Sequence, residues 1–187
     1  MIRVLSLGAG VQSTTIALMI GRGGLERVDC AIFADTGEET NETYAHLRWL
    51  TGCELELLPN DMLVAVPGAY QVGVLDFPVH VVAAWKGHGQ PSIRTRLGDE
   101  ILAATRRGGG AGSHSRPPFY TRKPDGTGGM IRRQCTGDYK IDVIQSKERE
   151  LLGLRKGQRW PKEHLIEQWI GISTDEASRI KPIMQQV

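Results

Sequence analysis

The residues best suited to chemistry lie near the amino terminus, in Ser-Leu-Gly-Ala-Gly-Val-Gln-Ser-Thr at positions 6–14. An apolar run ends there in Gly8-Ala9-Gly10, where small side chains let the backbone come close to a ligand. A helix starting near Val11 would present unpaired N–H groups and a partial positive charge at its first turn. Ser13, Thr14 and Thr15 add hydroxyl donors. The combination suits a phosphate group, gripped by Ser6, Gly8, Ala9, Gly10, Val11, Gln12, Ser13 and Thr14. The segment has neither the Lys-Ser/Thr ending of a Walker loop nor the G-x-G-x-x-G spacing of a dinucleotide fold, because position 13 is Ser. From this turn alone, an anion pocket and a plain strand-to-helix connection both stand.

Three further clusters follow along the chain. Phe33-Ala-Asp-Thr-Gly-Glu-Glu begins at the end of a second apolar run. In an open parallel sheet, ligands sit outside such strand ends. Asp35 is then placed for a ribose hydroxyl or a magnesium-bound phosphate, and Thr36 and Gly37 for the adenine pocket. Glu38 and Glu39 read better as a polar turn leading into an N-capped helix. The third cluster, Ile131-Arg-Arg-Gln-Cys-Thr-Gly-Asp-Tyr-Lys, supplies Arg132, Arg133 and Lys140 as cations for a polyphosphate or its leaving pyrophosphate. Cys135 lies among these cations near a predicted helix start, where a thiolate is favoured. It is open to roles as nucleophile, sulfur carrier, iron–sulfur ligand or plain buried thiol. The fourth cluster holds Asp175, Glu176 and Arg179, spaced either for local ion pairs on a short helix or for the substrate end of a nucleotide.

These clusters need elements to hold them. The periodicity predicts a strand over 2–7, a helix over 11–20, a strand over 28–34 and a helix over 40–50 stopped at Gly52. That alternation argues for a parallel sheet with helices packed on it. Both Glu54–Leu58 and Phe77–Ala83 can supply a third strand, with an insertion carrying a hairpin between them. A helix is expected over 97–107. Residues 108–129, rich in Gly, Pro and Ser, read as a mobile loop. Thr136 or Asp138 can cap a helix running to Leu152, and 167–172 read as a last buried strand.

At 187 residues, the chain has the size of one domain. Hydrophobic residues at 40% and charged residues at 24% exclude wholesale disorder. No apolar run reaches the ~18 residues of a membrane span, and the first residues lack a secretory signal. Three scattered cysteines do not make a disulfide framework, so a reducing cytosol is the expected compartment. The net charge of +2 conceals a segregation. Residues 106–140 carry eight basic and two acidic side chains, +6, which leaves −4 on the remainder. A basic segment on an acidic body is either a solvated loop or the contact surface for a polyanion, such as nucleotide phosphates or nucleic acid.

Taken in order, the four clusters resemble those of the PP-loop ATP pyrophosphatases, in the phosphoadenosine phosphosulfate (PAPS) reductase-like branch. The resemblance is carried by Ser6 to Ser13, by Asp35-Thr36-Gly37 followed by Asn41-Glu42-Thr43-Tyr44, by Cys135 with Lys140, and by Trp169-Ile-Gly-Ile with Asp175, Glu176 and Arg179. The look-alikes include short proteins often carried by bacteriophages, which implies a bacterial or phage-infected bacterial cytosol. It covers about 70% of the chain, with 52–76 and 108–127 outside it. The resemblance implies a Rossmann-like α/β fold of the adenine nucleotide α-hydrolase (HUP) type, a parallel sheet flanked by helices with a flexible Gly-rich basic loop.

Members of this family bind ATP or an adenylyl-sulfate. Many split ATP into AMP and pyrophosphate while adenylating an acceptor. Residues 8–13 would hold the departing phosphates, residues 33–37 adenine and ribose, and magnesium would accompany the nucleotide.

The chain departs from the family pattern in three respects. Gln12 stands where the pyrophosphatases usually carry Asp. No redox Cys follows Cys135, and relatives often continue beyond Arg179-Ile-Lys-Pro to further cysteines. Three isolated cysteines do not supply a four-Cys iron–sulfur cluster. The expectations are therefore three. The first is an AMP-forming ATP pyrophosphatase acting on a nucleobase or nucleic-acid acceptor guided by residues 106–140. The second is thiol-dependent reduction of PAPS through Cys135. The third is a non-catalytic nucleotide or nucleic-acid binding module. A membrane partner is not expected, and a homo-oligomer is compatible with all three.

Overall fold

The first strand grows from Ile-Arg-Val-Leu-Ser, whose alternate residues face opposite ways and are both covered. Val4 and Leu5 are fully buried on opposite sides of it. In the computed structural model, residues 1–86, 93–94, 96–106, 120–122, 124–130, 136–155, 157–163 and 165–174 are described. β1 (Ile2–Ser6) leads through the glycine turn into α1 (Val11–Gly21), β2 (Cys30–Asp35) and α2 (Asn41–Thr51). α2 is bounded as its sequence dictates. The hydroxyl of Thr40 caps the N–H of Thr43, and Gly52 closes the helix in the left-handed conformation.

After α2 come β3 (Leu55–Leu57), β4 (Leu63–Ala65), β5 (Gly68–Tyr70) and β6 (Val79–Ala83). Of the two candidates for the third strand, the later one joins the sheet. β6 pairs parallel with β2, Phe33 opposite Val81, while β3 folds back on β4 as a separate hairpin. β5 adds antiparallel to β6. Then follow β7 (Trp85–Lys86) paired with β8 (Ile93–Arg94), α3 (Leu97–Arg106), and a hairpin of β9 (Tyr120–Arg122) and β10 (Gly128–Met130). The hairpin corrects part of the expected 108–129 loop: Asp125-Gly126 sits at its turn, with Gly126 at positive φ. A π-helical turn (Gly137–Ile141) precedes α4 (Asp142–Leu151), and β11 (Ile166–Ile170) is the last strand.

The sheet order is β11-β1-β2-β6-β5, parallel except for β5. This is a mixed α/β architecture compatible with a Rossmann-like fold. One face packs Leu5, Leu7, Ala31, Phe33, Val79 and Val81 against α1 and α2, burying Ala17, Ile20, Tyr44, Leu47 and Leu50. The other face packs Val4, Cys30, Ile32 and Val82 against Ile144 and Leu151 of α4. β1 is flanked by β2, which follows it closely in the chain, and by β11, which arrives last. Strand order reverses between β1 and β11, so their carboxyl ends border the crevice where ligands bind in open sheets of this kind.

Candidate functional site

At the carboxyl end of β1 the backbone makes a tight descent. The N–H of Leu7 donates to the carbonyl of Ile32, and Ala9 adopts a left-handed φ of 52°. Gly10 is then the extended N-cap of α1. No side chain caps this helix, so the N–H groups of its first turn point outward at a strand end. The end of β11 closes on the same turn. A Cβ placed on Gly171 would lie 2.7 Å from the Ser13 nitrogen and 2.9 Å from the Gln12 carbonyl carbon. Only a residue without a side chain lets the two backbones approach so closely.

The expected hydroxyl donors are used otherwise. Ser13, 7% exposed, accepts from the Gly8 N–H at 3.1 Å and donates to the Gly10 carbonyl at 3.3 Å. It ties the turn together. The Thr14 hydroxyl meets His46 Nε2 at 3.0 Å, and Thr15 donates to the Val11 carbonyl at 2.8 Å. Hydroxyls in a first helical turn are drawn to their own backbone, and here that competition wins. With the Gly8 N–H taken up by Ser13, the candidate donors of the turn are the backbone groups from Ala9 onward, and Ser6 is the last residue of the strand that leads into it.

The second cluster is a wall rather than a lining. Phe33 is 2% exposed and belongs to the core. Asp35 is fully buried and accepts from four directions. The Gly37 N–H and Tyr44 hydroxyl reach one oxygen, each at 2.7 Å. The Ala65 N–H (3.0 Å) and Arg94 reach the other. Arg94 also donates to the Ala65 carbonyl at 2.8 Å. The Asp35 carboxylate is therefore committed, which replaces the expectation of a ribose or magnesium contact with that of an anchor for the turn, α2, β4 and β8. Burial, with the neighbouring Asp35 charge, holds the Tyr44 phenol well above its ordinary range.

Thr36 bonds Glu39 at 3.2 Å and gives its carbonyl to the Leu97 N–H. Gly37, at φ 75°, gives its carbonyl to Arg96 at 3.1 Å, and a Cβ there would strike the Arg96 side chain. Arg96 continues to Glu38 at 2.9 Å. The reading of Glu38 and Glu39 as turn residues therefore fits their contacts.

Lys140 completes the arrangement. Its Nζ lies 3.9 Å from Glu39 Oε1, with half the side chain exposed. The second and third clusters thus meet just beyond the carboxyl end of β2, the strand that pairs with β1. Arg132, Arg133, Cys135, Asp175, Glu176 and Arg179 lie outside the described residues. Arg94 and Arg96 were not anticipated. Their signal is Ile-Arg-Thr-Arg at 93–96, two cations at the spacing of two that shares one face wherever a sequence runs extended.

At the opposite end of the sheet, a cavity of about 560 Å³ is lined by Ile2, Cys30, Tyr70, Pro78, His80 and Leu151. It sits at the amino ends of the strands, away from the glycine turn. Burial, then Asp29, pushes the Cys30 thiol up to about 11, and burial, then Lys147, lowers His80. No group of three or more His, Cys, Asp or Glu placed to hold a metal occurs among the described residues. No helix among them is long and apolar enough to cross a membrane. Compared with known protein families, curated proteins and solved structures, the chain matches none.

Proposed function

We propose that the chain binds an adenine nucleotide at the carboxyl ends of β1 and β11, as a protein of the PP-loop, adenine nucleotide α-hydrolase type. It cleaves ATP to AMP and pyrophosphate to adenylate an acceptor. The observation that carries this reading is the uncapped start of α1 in the crevice, with Ala9 turned left-handed and the β11 backbone seated on Gln12 and Ser13. An array of fixed N–H donors at a strand end is suited to phosphate oxygens and needs no side-chain charge. Attack on the α-phosphorus asks chiefly for positioning and charge neutralisation. Lys140 supplies a cation beside the pocket, and Arg132 and Arg133 of the basic segment are assigned the same task. Cys135 is not needed for this chemistry. A nucleobase or nucleic acid is the acceptor class suited to the +6 segment.

Titration calorimetry with ATP, ADP, AMP and inorganic pyrophosphate tests the binding step. Saturable binding that strengthens with phosphate number supports it, and flat traces at millimolar nucleotide refute it. Pyrophosphate release, followed in a coupled assay with candidate acceptors, tests catalysis. A second reading, nucleotide binding without cleavage, is favoured by the commitment of Asp35 to four protein donors and by Gln12 in place of an acid. It expects the calorimetric signal without pyrophosphate release.

A further inference from the structure

α4 buries its residues at a regular spacing. Ile144, Glu148 and Leu151 recur at i, i+4 and i+7 on the side facing the sheet. Carried back three or four residues, that stripe reaches Ile141 and Lys140, so an uninterrupted α-helix would turn both towards the sheet and Tyr139 away from it. The observed inward residue is Tyr139, 2% exposed, with its hydroxyl 3.5 Å from the Arg96 carbonyl. Lys140 and Ile141 are about half exposed. The cause is local: the Asp142 N–H donates to the carbonyl of Gly137, five residues back, where an α-helix would bond four back. One additional residue is looped into this turn.

We propose that this one-residue expansion sets the register of Lys140. It hands the inward place to Tyr139, which docks against β2 and the Arg96 backbone. It thereby delivers the Lys140 ammonium to the Glu39 side of the anion pocket. The role of Lys140 towards phosphate rests on the nucleotide reading above, whereas the register itself does not. Lys140 is the residue positioned, and the looped turn is what positions it.

Two deletions of equal length separate this from a merely structural turn. Removing either Ile141 or Asp138 closes the ring to ordinary α geometry. Without Ile141, Tyr139 lies four residues before Ile144 and keeps the inward place, and Lys140 stays beside Glu39. Without Asp138, Lys140 itself falls on the stripe and Tyr139 leaves it. The first readout is the resonance of 13C-dimethylated Lys140 with and without Glu39→Gln. It should respond to Glu39 in the wild type and the Ile141 deletion, and not in the Asp138 deletion. The second readout is pyrophosphate and ATP titration, where the Asp138 deletion should bind about tenfold or more weakly, the scale of a charge-assisted bond, and the Ile141 deletion as wild type.

Burying Lys140 threatens folding of the Asp138 deletion. A companion carrying Lys140→Tyr in that background restores an aromatic residue to the inward place and should fold. The proposal is overturned if the two deletions behave alike in the resonance assay. It is also overturned if the companion stays unfolded while the Ile141 deletion folds. Absence of pyrophosphate and ATP binding by the wild type would remove the nucleotide reading and leave the resonance comparison to decide the register.

Discussion

Replacing Arg94 by Met removes the cation from a carboxylate with no access to water. Asp35 is 0% and Arg94 16% exposed at the side chain. Breaking a buried pair by deleting one partner costs about 3–5 kcal/mol, because the surviving charge is left without its counter-ion. Here the Gly37 N–H, Tyr44 hydroxyl and Ala65 N–H still reach Asp35, which moderates the loss. The Ala65 carbonyl also loses its Arg94 donor. The expected cost is therefore about 3 kcal/mol, at the low end of that range.

For a domain of this length the cost corresponds to a fall in Tm of roughly 6–12 °C. Urea denaturation followed by tryptophan fluorescence measures it directly. The Arg94→Met, Asp35→Asn double variant should lose less than the sum of the two single losses, since neither charge is then stranded. If Arg94→Met costs under about 1 kcal/mol, or the two losses simply add, Asp35 is not the electrostatic anchor described here.

Three further outcomes are expected. Gly171→Ala should cost about 1–3 kcal/mol by forcing β11 off the start of α1, and should weaken ATP binding in calorimetry more than an Ala at exposed Gly128 does. Burial raises the Glu148 carboxyl above its ordinary pKa, so the folded state holds that proton more tightly than the unfolded chain does. Its contribution is full below the unfolded value and is lost as pH rises through the folded one. Urea midpoints from pH 4 to 8 should therefore fall more for wild type than for Glu148→Gln. With its thiol pushed up to about 11, Cys30 should resist iodoacetamide at pH 8 in the native protein and react at the ordinary rate in urea, as read by mass spectrometry.

The first half of the sheet was legible because its signals are local. A buried run, a glycine turn and a 3.6-residue period fix β1, α1, β2 and α2 within a residue or two, and Thr40 and Gly52 mark the ends of α2. The third strand was ambiguous because Leu55–Leu57 and Val79–Ala83 are both short apolar runs. Only β2, presenting Ala31, Phe33 and Asp35 to the second run, selects between them.

The site was legible as a place and less so in its parts. Small residues at the end of β1 pointed to the turn. Which donors remain for a ligand depended on hydroxyls bonding their own backbone, and such bonds are set by rotamers rather than residue type. Asp35 looked available because its partners sit far along the chain, Ala65 and Arg94 being 30 and 59 residues away. The expanded turn before α4 leaves no local signature in Gly-Asp-Tyr-Lys-Ile. It shows only as a mismatch between the α4 stripe and the burial of Tyr139.

The pairing of β1 with β11 also orders events during synthesis. Ile2 lies opposite Ile166, whereas Val4 meets Cys30 after only a few dozen residues. A ribosome adding about 5–20 residues per second needs roughly 10–30 s between making β1 and finishing β11. Throughout that interval one edge of β1 stays unpaired while β2 pairs with its other edge. The crevice can close only when the last strand slots in, so this nascent chain is expected to need shielding of that edge until then, and early termination before residue 166 should yield aggregation rather than a smaller working domain.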